Sequence, residues 1–453
     1  MVVETCPRSL RRPRGTYVTD SAAVPAPPGP GGGSSPTGAG RSRRRRRWLR
    51  YSAIAAALLV LVAGGTGWMA YEKLNGNITE DSDTAAELAR YEKERPSVLV
   101  EGAQNLLLIG SDSRAGKNGK YGRNDGTQRS DTTILLHVAA DRKSATAVSF
   151  PRDLMVDMPG CKGVDGARTE PMFAMFNYAF EVGGTACTIR TVEKMTGVRV
   201  DHHMVVDFQG FKNMVDAVDG VEVCLDRPIR DSDAHLSLPA GRQLLDGEQA
   251  LGYVRVRKTL GNGSDTDRMD RQQRFLGALV TKVQSDGVLL NPTKLYPVLD
   301  AATSSLTTDP GLASLRGLYD LVRGMRGIPA ERIQFLTVPR QSYVNDANRD
   351  QLVQPAADRL FTQLRTDAPV VVSKKTPADQ QSESEQAYEG EDGSYEEGGS
   401  YDEGGSYDEG EGYDPTYEYG GWDDGRPEPS PVAAEPSPAP TFRGNTARQN
   451  ACD

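Results

Sequence analysis

Residues 105–153 read NLLLIGSDSRAGKNGKYGRNDGTQRSDTTILLHVAADRKSATAVSFPRD. Three apolar runs of strand length sit in this stretch, at 105–109, 132–138 and 145–150, rich in Val, Ile and Leu and bounded by Gly, Asp and Pro. Runs of this kind favour buried strands over helices. Acids stand at the ends of two of them. Asp112 lies three residues past the first run and Asp131 one residue before the second, so pairing of those strands brings both carboxylates to one edge of a sheet. Arg152 and Asp153 close the third. Two carboxylates beside an arginine at strand ends suit a divalent cation that holds a phosphate, because Mg²⁺ takes one or two carboxylates and leaves its other positions to substrate oxygens and water. The alternative is three core strands with solvated acids in their turns, where Asp is common.

A second constellation occupies residues 244–276, LLDGEQALGYVRVRKTLGNGSDTDRMDRQQRFL. Tyr253, Arg255 and Arg257 alternate with Val254 and Val256, and strand alternation puts both arginines on one face. Arg268, Arg271 and Gln272 are spaced i, i+3 and i+4, so a helix presents all three together, with Asp265 or Thr266 as its cap. Arginine is always charged and its planar fork binds phosphate oxygens two at a time, so four converging arginines suit a pyrophosphate. A solvated helix face accounts for the second set as well. It does not account for two arginines on one face of an otherwise apolar strand.

Between and beyond these motifs, helical and strand patterns alternate. Helices are expected at 188–195, 211–218, 276–283, 311–325 and 355–364, less firmly at 293–299 because of Pro297, and strands at 204–208, 221–225 and 333–338. The pattern is α/β, with the strands in one sheet and helices on its faces. The apolar residues of these elements read as core, or in part as the lining of a lipid tunnel.

The chain has 453 residues and a formal charge of −9, very unevenly spread. Residues 1–50 hold eleven Arg and two acids, residues 376–453 three Arg and twenty acids. The long middle is therefore close to neutral, which argues against a nucleic-acid-binding surface. Residues 1–50 are rich in Pro, Gly, Ser and Arg without an apolar period, and disorder is expected. Residues 51–71 carry no charge, and at ~1.5 Å per residue they span about 31 Å, a bilayer core. Arg41 and Arg43 to Arg47 precede this run, and Trp68 and Tyr71 stand near its far end. The positive-inside rule then leaves residues 1–50 in the cytoplasm and everything after Glu72 outside. A cleaved signal peptide is the rival reading, weakened by the length of the run and the lack of an A-x-A site. Residues 72–100 read as a polar stalk, 101–372 as the folded domain and 373–453 as a disordered acidic tail. Six-residue repeats (SYEEGG, SYDEGG, SYDEGE) begin at Ser394, Ser400 and Ser406, with Pro-rich sequence after them. Of five cysteines, Cys161, Cys187 and Cys224 fall in the folded part; an oxidising compartment lets two pair and leaves one free, and the sequence does not choose the pair.

Gly110-Ser-Asp112-Ser-Arg114, Arg129-Ser-Asp131-Thr-Thr, Phe150-Pro-Arg152-Asp153, residues 177–184, Tyr253-Val-Arg255-Val-Arg257 and Arg268-x-x-Arg271-Gln272-Gln273, in this order behind one anchor, closely resemble the LytR-CpsA-Psr family over residues 105–367. The resemblance implies a single-pass anchor followed by an extracytoplasmic mixed β-sheet flanked by helices. It also implies a Mg²⁺-dependent phosphotransferase at the surface of a Gram-positive bacterium, moving a glycopolymer from a polyprenyl-pyrophosphate carrier onto peptidoglycan. Asp112 and Asp131 are then the metal and catalytic acids, with Arg152 beside them, and Arg129, Arg152, Arg255, Arg257, Arg268, Arg271 and Gln272 bind the pyrophosphate. Met175-Phe176-Asn177 stands where the family often has Lys-Ile-Asn, so one basic contact is absent. The Ala, Gly and Arg content and the cysteines look actinobacterial.

Other chemistries drop out on spacing. His137, His202, His203 and His235 lack zinc-ligand spacing with the cysteines, and neither a G-x-S-x-G elbow nor a Walker loop occurs. Ser111 has no histidine near it in sequence. Against the transferase stands a non-catalytic envelope protein that only binds polyprenyl phosphates or wall polymer; binding needs the arginines, transfer needs Asp112 and Asp131 as well.

Overall fold

The computed structural model describes residues 39–112, 130–163, 166–256, 265–285, 292–373 and 441–450. The chain divides into two compact units, residues 1–66 and 67–453. Helix α1 (Ala39–Asn77) contains the apolar run, and Arg47–Asn77 is the one helix among the described residues long and apolar enough to cross a membrane. Leu58, Leu59, Val60 and Leu61 along it are exposed, as a lipid-facing helix requires and a core helix does not.

The second unit begins with β1 (Thr79–Glu80) and α2 (Ser82–Arg90), then β2 (Gln104–Ser111), β3 (Ser130–Val138), β4 (Ala145–Phe150), β5 (Met155–Met158) and β6 (Met172–Met175). Next come α3 (Tyr178–Thr196), β7 (His202–Asp207), α4 (Phe208–Ala217), β8 (Val221–Leu225), β9 (Ile229–Asp231), β10 (Leu236–Leu238), β11 (Gly241–Leu245), α5 (Gly247–Arg255) and α6 (Asp265–Ser285). The rest is α7 (Pro292–Ser305), β12 (Leu306–Thr308), α8 (Leu315–Met325), β13 (Ile333–Thr337), β14 (Arg340–Tyr343), β15 (Asp346–Leu352), α9 (Ala356–Arg365), β16 (Val371–Ser373) and β17 (Thr441–Thr446).

The main sheet is mixed, in the order β1-β12-β7-β2-β3-β4-β13-β17-β16. Along β2, Leu107 and Ile109 point to one face, where α3 and α9 supply Ile189, Val192, Leu360 and Phe361; Leu106 points to the other, where Leu318 and Leu321 of α8 lie. A strand covered on both faces must be apolar at every position, which is why 105–109 is a run and not an alternation. A smaller lobe, built from α4, α5 and α6 with the ribbons β8–β11 and β9–β10, packs its own core of Val215, Val221, Ile229, Leu245 and Phe275. The strand expected at 221–225 is present, but it pairs with β11 in this lobe and not in the main sheet.

The segment read as a stalk is part of the domain. Leu74 and Leu88 are buried, Leu88 within the main core. Arg95 forks onto the buried Glu193 of α3 (Nη2–Oε1 2.7 Å) and donates to the Val200 carbonyl at 2.7 Å. Cys161 and Cys187 form a disulfide. The two cysteines come together at a break in α3 where Gly184 takes φ +59°; a Cβ on Gly183 would stand 2.7 Å from the Cys187 Cβ, so only glycine fits. Cys224 is disulfide-bonded as well, so the free thiol expected among the three is not found. The disorder expected throughout 373–453 also fails at its far end, because β17 enters the main sheet between β13 and β16.

Candidate active site

Strand direction determines where the site falls. β2, β4, β7 and β13 run parallel to one another, and β3 runs against them. Their carboxyl ends therefore share one edge with the start of β3, and that edge is where ligands bind in open α/β sheets. Asp112 follows the last residue of β2. Gly110 pairs with Thr132 and Ser111 with Ser130, which leaves Asp131 as the extra residue of a β-bulge. A bulge re-aims its side chain out of the ladder, so both acids come to one edge as their spacing implied.

Arg152 arrives there from the end of β4. Its Nη1 donates to Asp131 Oδ1 at 3.1 Å and its Nε to Asp153 Oδ2 at 3.1 Å, while its carbonyl accepts from the Asn177 N–H at 3.0 Å. The Asp131 and Arg152 side chains remain 33% and 22% exposed. The pair is thus ordered yet open to a ligand.

Arg255 comes from the other side. Ser111 pairs with Asp207 at the end of β7, Asp207 caps α4 by accepting from the Gly210 N–H at 2.7 Å, and the Arg255 guanidinium lies 4.8 Å over the Phe208 ring at the first position of that helix. Such stacking orients the guanidinium against the first turn of α4. Residues 253–255, expected to begin a strand, instead form the last turn of a helix. Residues 247–255 are helical, nucleated by a capping box in which Asp246 accepts from the Gln249 N–H at 2.8 Å and Gln249 accepts from the Asp246 N–H at 3.2 Å. Helix periodicity separates Arg255 from Tyr253, whose phenol is buried and held above its usual pKa by that burial. Arg257 and Arg129 lie outside the described residues.

Helix α6 supplies the third wall. Arg268 and Arg271 are 4% and 7% exposed, so they are not the solvated face that their spacing also allowed. Arg271 donates to the Val256 carbonyl, and Gln272 Nε2 to the Val254 carbonyl at 3.3 Å. Both side chains thus satisfy acceptors that the end of α5 leaves open, a positioning role that the sequence did not reveal. Gln273, which the sequence reading left without a role, bonds Ser149 of β4 at 3.2 Å and Thr337 of β13 at 3.1 Å. It anchors α6 on the carboxyl edge of the sheet.

By donor chemistry, two carboxylates on adjacent strand ends would suit a hard cation and leave coordination positions for a phosphate; among the described residues no group of three or more His, Cys, Asp or Glu could hold a metal ion.

Asp112, Asp131 and Arg152 on the carboxyl edge of a mixed sheet, with Arg255 stacked on Phe208 of the adjoining helix, define an α/β protein with a cluster of charged side chains at its strand ends. The chain belongs to the LytR_cpsA_psr family, whose family model matches residues 72–366. It is 38% identical over 269 residues to the "Probable cell wall biosynthesis protein LcpB" of Corynebacterium glutamicum, an alignment covering 58% of this chain and 61% of that one. It is 30% identical over 290 residues to TagT of Bacillus subtilis, a polyisoprenyl-teichoic acid–peptidoglycan teichoic acid transferase, covering 62% of this chain and 83% of that one. A solved structure described as a LytR-Csp2A-Psr enzyme from Actinomyces oris matches at TM-score 0.46 and 21% identity, over 60% of this chain and 93% of that one. The chain spans about three fifths of the length of its Corynebacterium relative.

Proposed function

We propose that this protein is a membrane-anchored transferase that moves a glycopolymer from a polyprenyl-pyrophosphate carrier to peptidoglycan outside the cell, with Mg²⁺ as cofactor. The observation that carries the reading is the bulge at Asp131, which turns one carboxylate toward Arg152 on the edge where Asp112, Arg255 and α6 also converge. The TagT relative, by its name, performs a transfer of this kind. Arg41 and Arg43 to Arg47 ahead of the apolar run favour a cytoplasmic N-terminus and an external domain.

In this reading Arg152 and Arg255 hold the pyrophosphate oxygens and orient the phosphorus nearer the sugar for in-line attack. Arg129 and Arg257 are assigned to the same group, while Arg268, Arg271 and Gln272 form its back wall. Asp112 and Asp131 would hold Mg²⁺, which would neutralise charge on the pyrophosphate. One of the two carboxylates takes the proton of the attacking acceptor hydroxyl. The hydroxyl oxygen then bonds to phosphorus, the bridging P–O bond breaks, and polyprenyl phosphate departs with its electron pair, leaving a phosphodiester between polymer and wall. Arg152 holds Asp131 in place throughout.

The test is transfer by the full-length chain in detergent, from a polyprenyl-pyrophosphate oligosaccharide to peptidoglycan. Asp112→Asn and Asp131→Asn should each lower turnover by at least about 10²-fold. Mg²⁺ should raise the melting temperature of the parent but of neither variant. A protein that only binds the lipid pyrophosphate predicts no turnover by the parent and undiminished binding by both variants, and that result would overturn the reading.

A further inference from the structure

Beyond the acid and arginine edge lies a surface that the transfer chemistry does not use. The chain leaves Arg152 and Asp153 into the ribbon β5–β6, in which Asp157 faces Phe173. The hairpin β14–β15 stands beside that ribbon. Its Asp350 N–H donates to the Asp153 carbonyl at 3.1 Å, and its Arg349 reaches the Asp153 carboxylate at 3.6 Å and Asp346 at 3.7 Å. On this surface Phe173 is 52% exposed and Val344, at the hairpin tip, 78%. The Phe173 and Tyr343 rings meet at 5.9 Å with 52° between their planes. Tyr178, one residue past the Asn177 that touches Arg152, is also exposed.

Single exposed apolar residues are ordinary, but a cluster of them contiguous with an active site calls for an occupant. The rim narrows the choice. Asn345 donates to the Tyr343 hydroxyl at 3.0 Å, Asn348 to Asp346 at 3.2 Å, and Arg349 stands between two carboxylates. A stable contact with a second protein takes roughly 20 residues a side with a dry apolar centre; this cluster is a few side chains interleaved with amides and charges. A sugar ring matches it on both counts. Its C–H face covers an aromatic ring, and its equatorial hydroxyls meet amides, carboxylates and guanidinium at the edge. Phe173 stands on β6 four residues before Asn177, whose N–H donates to the Arg152 carbonyl, so a short segment ties the cluster to the catalytic edge.

We propose that Phe173, Tyr343 and Val344 form the platform on which the acceptor glycan strand lies, delivering its hydroxyl to the Asp131–Arg152 edge. The proposal rests on the transferase reading above and adds where the acceptor sits. The Arg349–Asp153 and Asp153–Arg152 contacts tie the hairpin that carries Tyr343 and Val344 to the catalytic edge.

The experiment uses the full-length chain in detergent, a polyprenyl-pyrophosphate oligosaccharide as donor and muramidase-cut peptidoglycan oligosaccharides as acceptor. Phe173→Ala and Tyr343→Ala should each raise the acceptor KM about tenfold, the size of a lost aromatic anchor, with the donor KM unmoved. Phe173→Trp should restore the parent KM, and Tyr319→Ala, which removes an equally exposed ring from α8, should leave it unmoved. Sedimentation with purified peptidoglycan sacculi should weaken in step with the acceptor KM. If the parent transfers polymer and both alanine variants keep its acceptor KM at the parent melting temperature, the platform is refuted while the transferase stands. Loss of self-association without change in acceptor KM assigns the face to a second copy and refutes the platform equally. A parent that transfers nothing refutes the transferase itself.

Discussion

Arg152 does two jobs with one planar group, holding Asp131 through Nη1 and Asp153 through Nε. A lysine keeps the charge but has no second donor at a fixed angle to the first. Arg152→Lys should therefore leave stability within about 1 kcal/mol, because the ion pairs are partly solvated. It should cost about 2.7–4 kcal/mol of transition-state stabilisation, roughly 10²- to 10³-fold in turnover, because Asp131 loses its orientation and the pyrophosphate loses a fork. Turnover in the transfer assay beside a thermal melt separates the two effects, and a variant that melts early and turns over normally would contradict this account. At this scale the sequence was informative about the acids and less so about the arginines. Asp112 and Asp131 are at strand ends because Gly and polar residues bound apolar runs. Arg268, Arg271 and Gln272 are spaced i, i+3 and i+4 along α6, but the bonds of Arg271 and Gln272 to the α5 carbonyls depend on where α5 ends, and no spacing rule contains that.

Elements were legible where one period ran long. β2, β3 and β4 each contain the run read for them, extended by no more than two residues at either end. The misreading at 253–257 has a definite cause. Five residues of alternation are shorter than two helical turns, so Tyr253-Val-Arg-Val-Arg fits a strand and a helix end alike, and the arbiter was the Asp246-x-x-Gln249 capping box seven residues upstream. Another link between elements was invisible in sequence. His202 of β7 pairs through Nδ1 with Asp309 Oδ2 at 3.0 Å, and Asp309 in turn accepts from the His203 N–H at 3.1 Å, tying β7 to the turn that follows β12. The hydrogen bond to Asp309 raises the His202 pKa against the opposing effect of burial. Burial is also the largest single influence on Asp309 and pushes its pKa up, but the His202 hydrogen bond and charge together with the His203 N–H outweigh it, so the carboxyl titrates below its usual range. The signs set a window. The histidine contributes fully below its unfolded pKa of about 6.5 and loses its contribution as pH rises through the raised folded value; the aspartate contributes above about 3.8 and loses its share as pH falls through the lowered one. The melting-temperature advantage of the parent over Asp309→Asn should therefore be greatest between about pH 4.5 and 6 and shrink above neutrality. An advantage that grows from pH 6 to 8 would show the pairing to be wrong.

On the scale of the whole molecule, the sheet is completed by the far end of the chain. β17 pairs antiparallel with β13 through Gln334–Thr446 and parallel with β16 through Val371–Thr441, burying Phe442 in the main core and Ala447 on the opposite face. A Cβ on Gly444 would stand 2.4 Å from the Phe335 carbonyl oxygen, so the strand is fitted too closely for any larger residue. Arg443 approaches Asp270 of α6 at 4.0 Å, and Arg448 pairs with Glu331. The tail composition hid this, because Pro and acidic repeats dominate the segment and a six-residue strand held mainly by backbone pairing with one buried Phe leaves little apolar signal. A chain ending at Ser373 loses the Phe442 burial, about 1.5–3 kcal/mol, exposes the edge of β13 and removes the support beneath the helix that carries Arg268, Arg271 and Gln273. That truncation should lower the melting temperature, speed amide exchange along β13 and increase aggregation, and turnover should fall even at temperatures where the domain remains folded. Gly444→Val in the full-length chain should reproduce the loss of protection on β13, since it removes the fit and not the tail. If truncation leaves both the melt and the β13 amides unchanged, the C-terminal strand is no part of the sheet in solution.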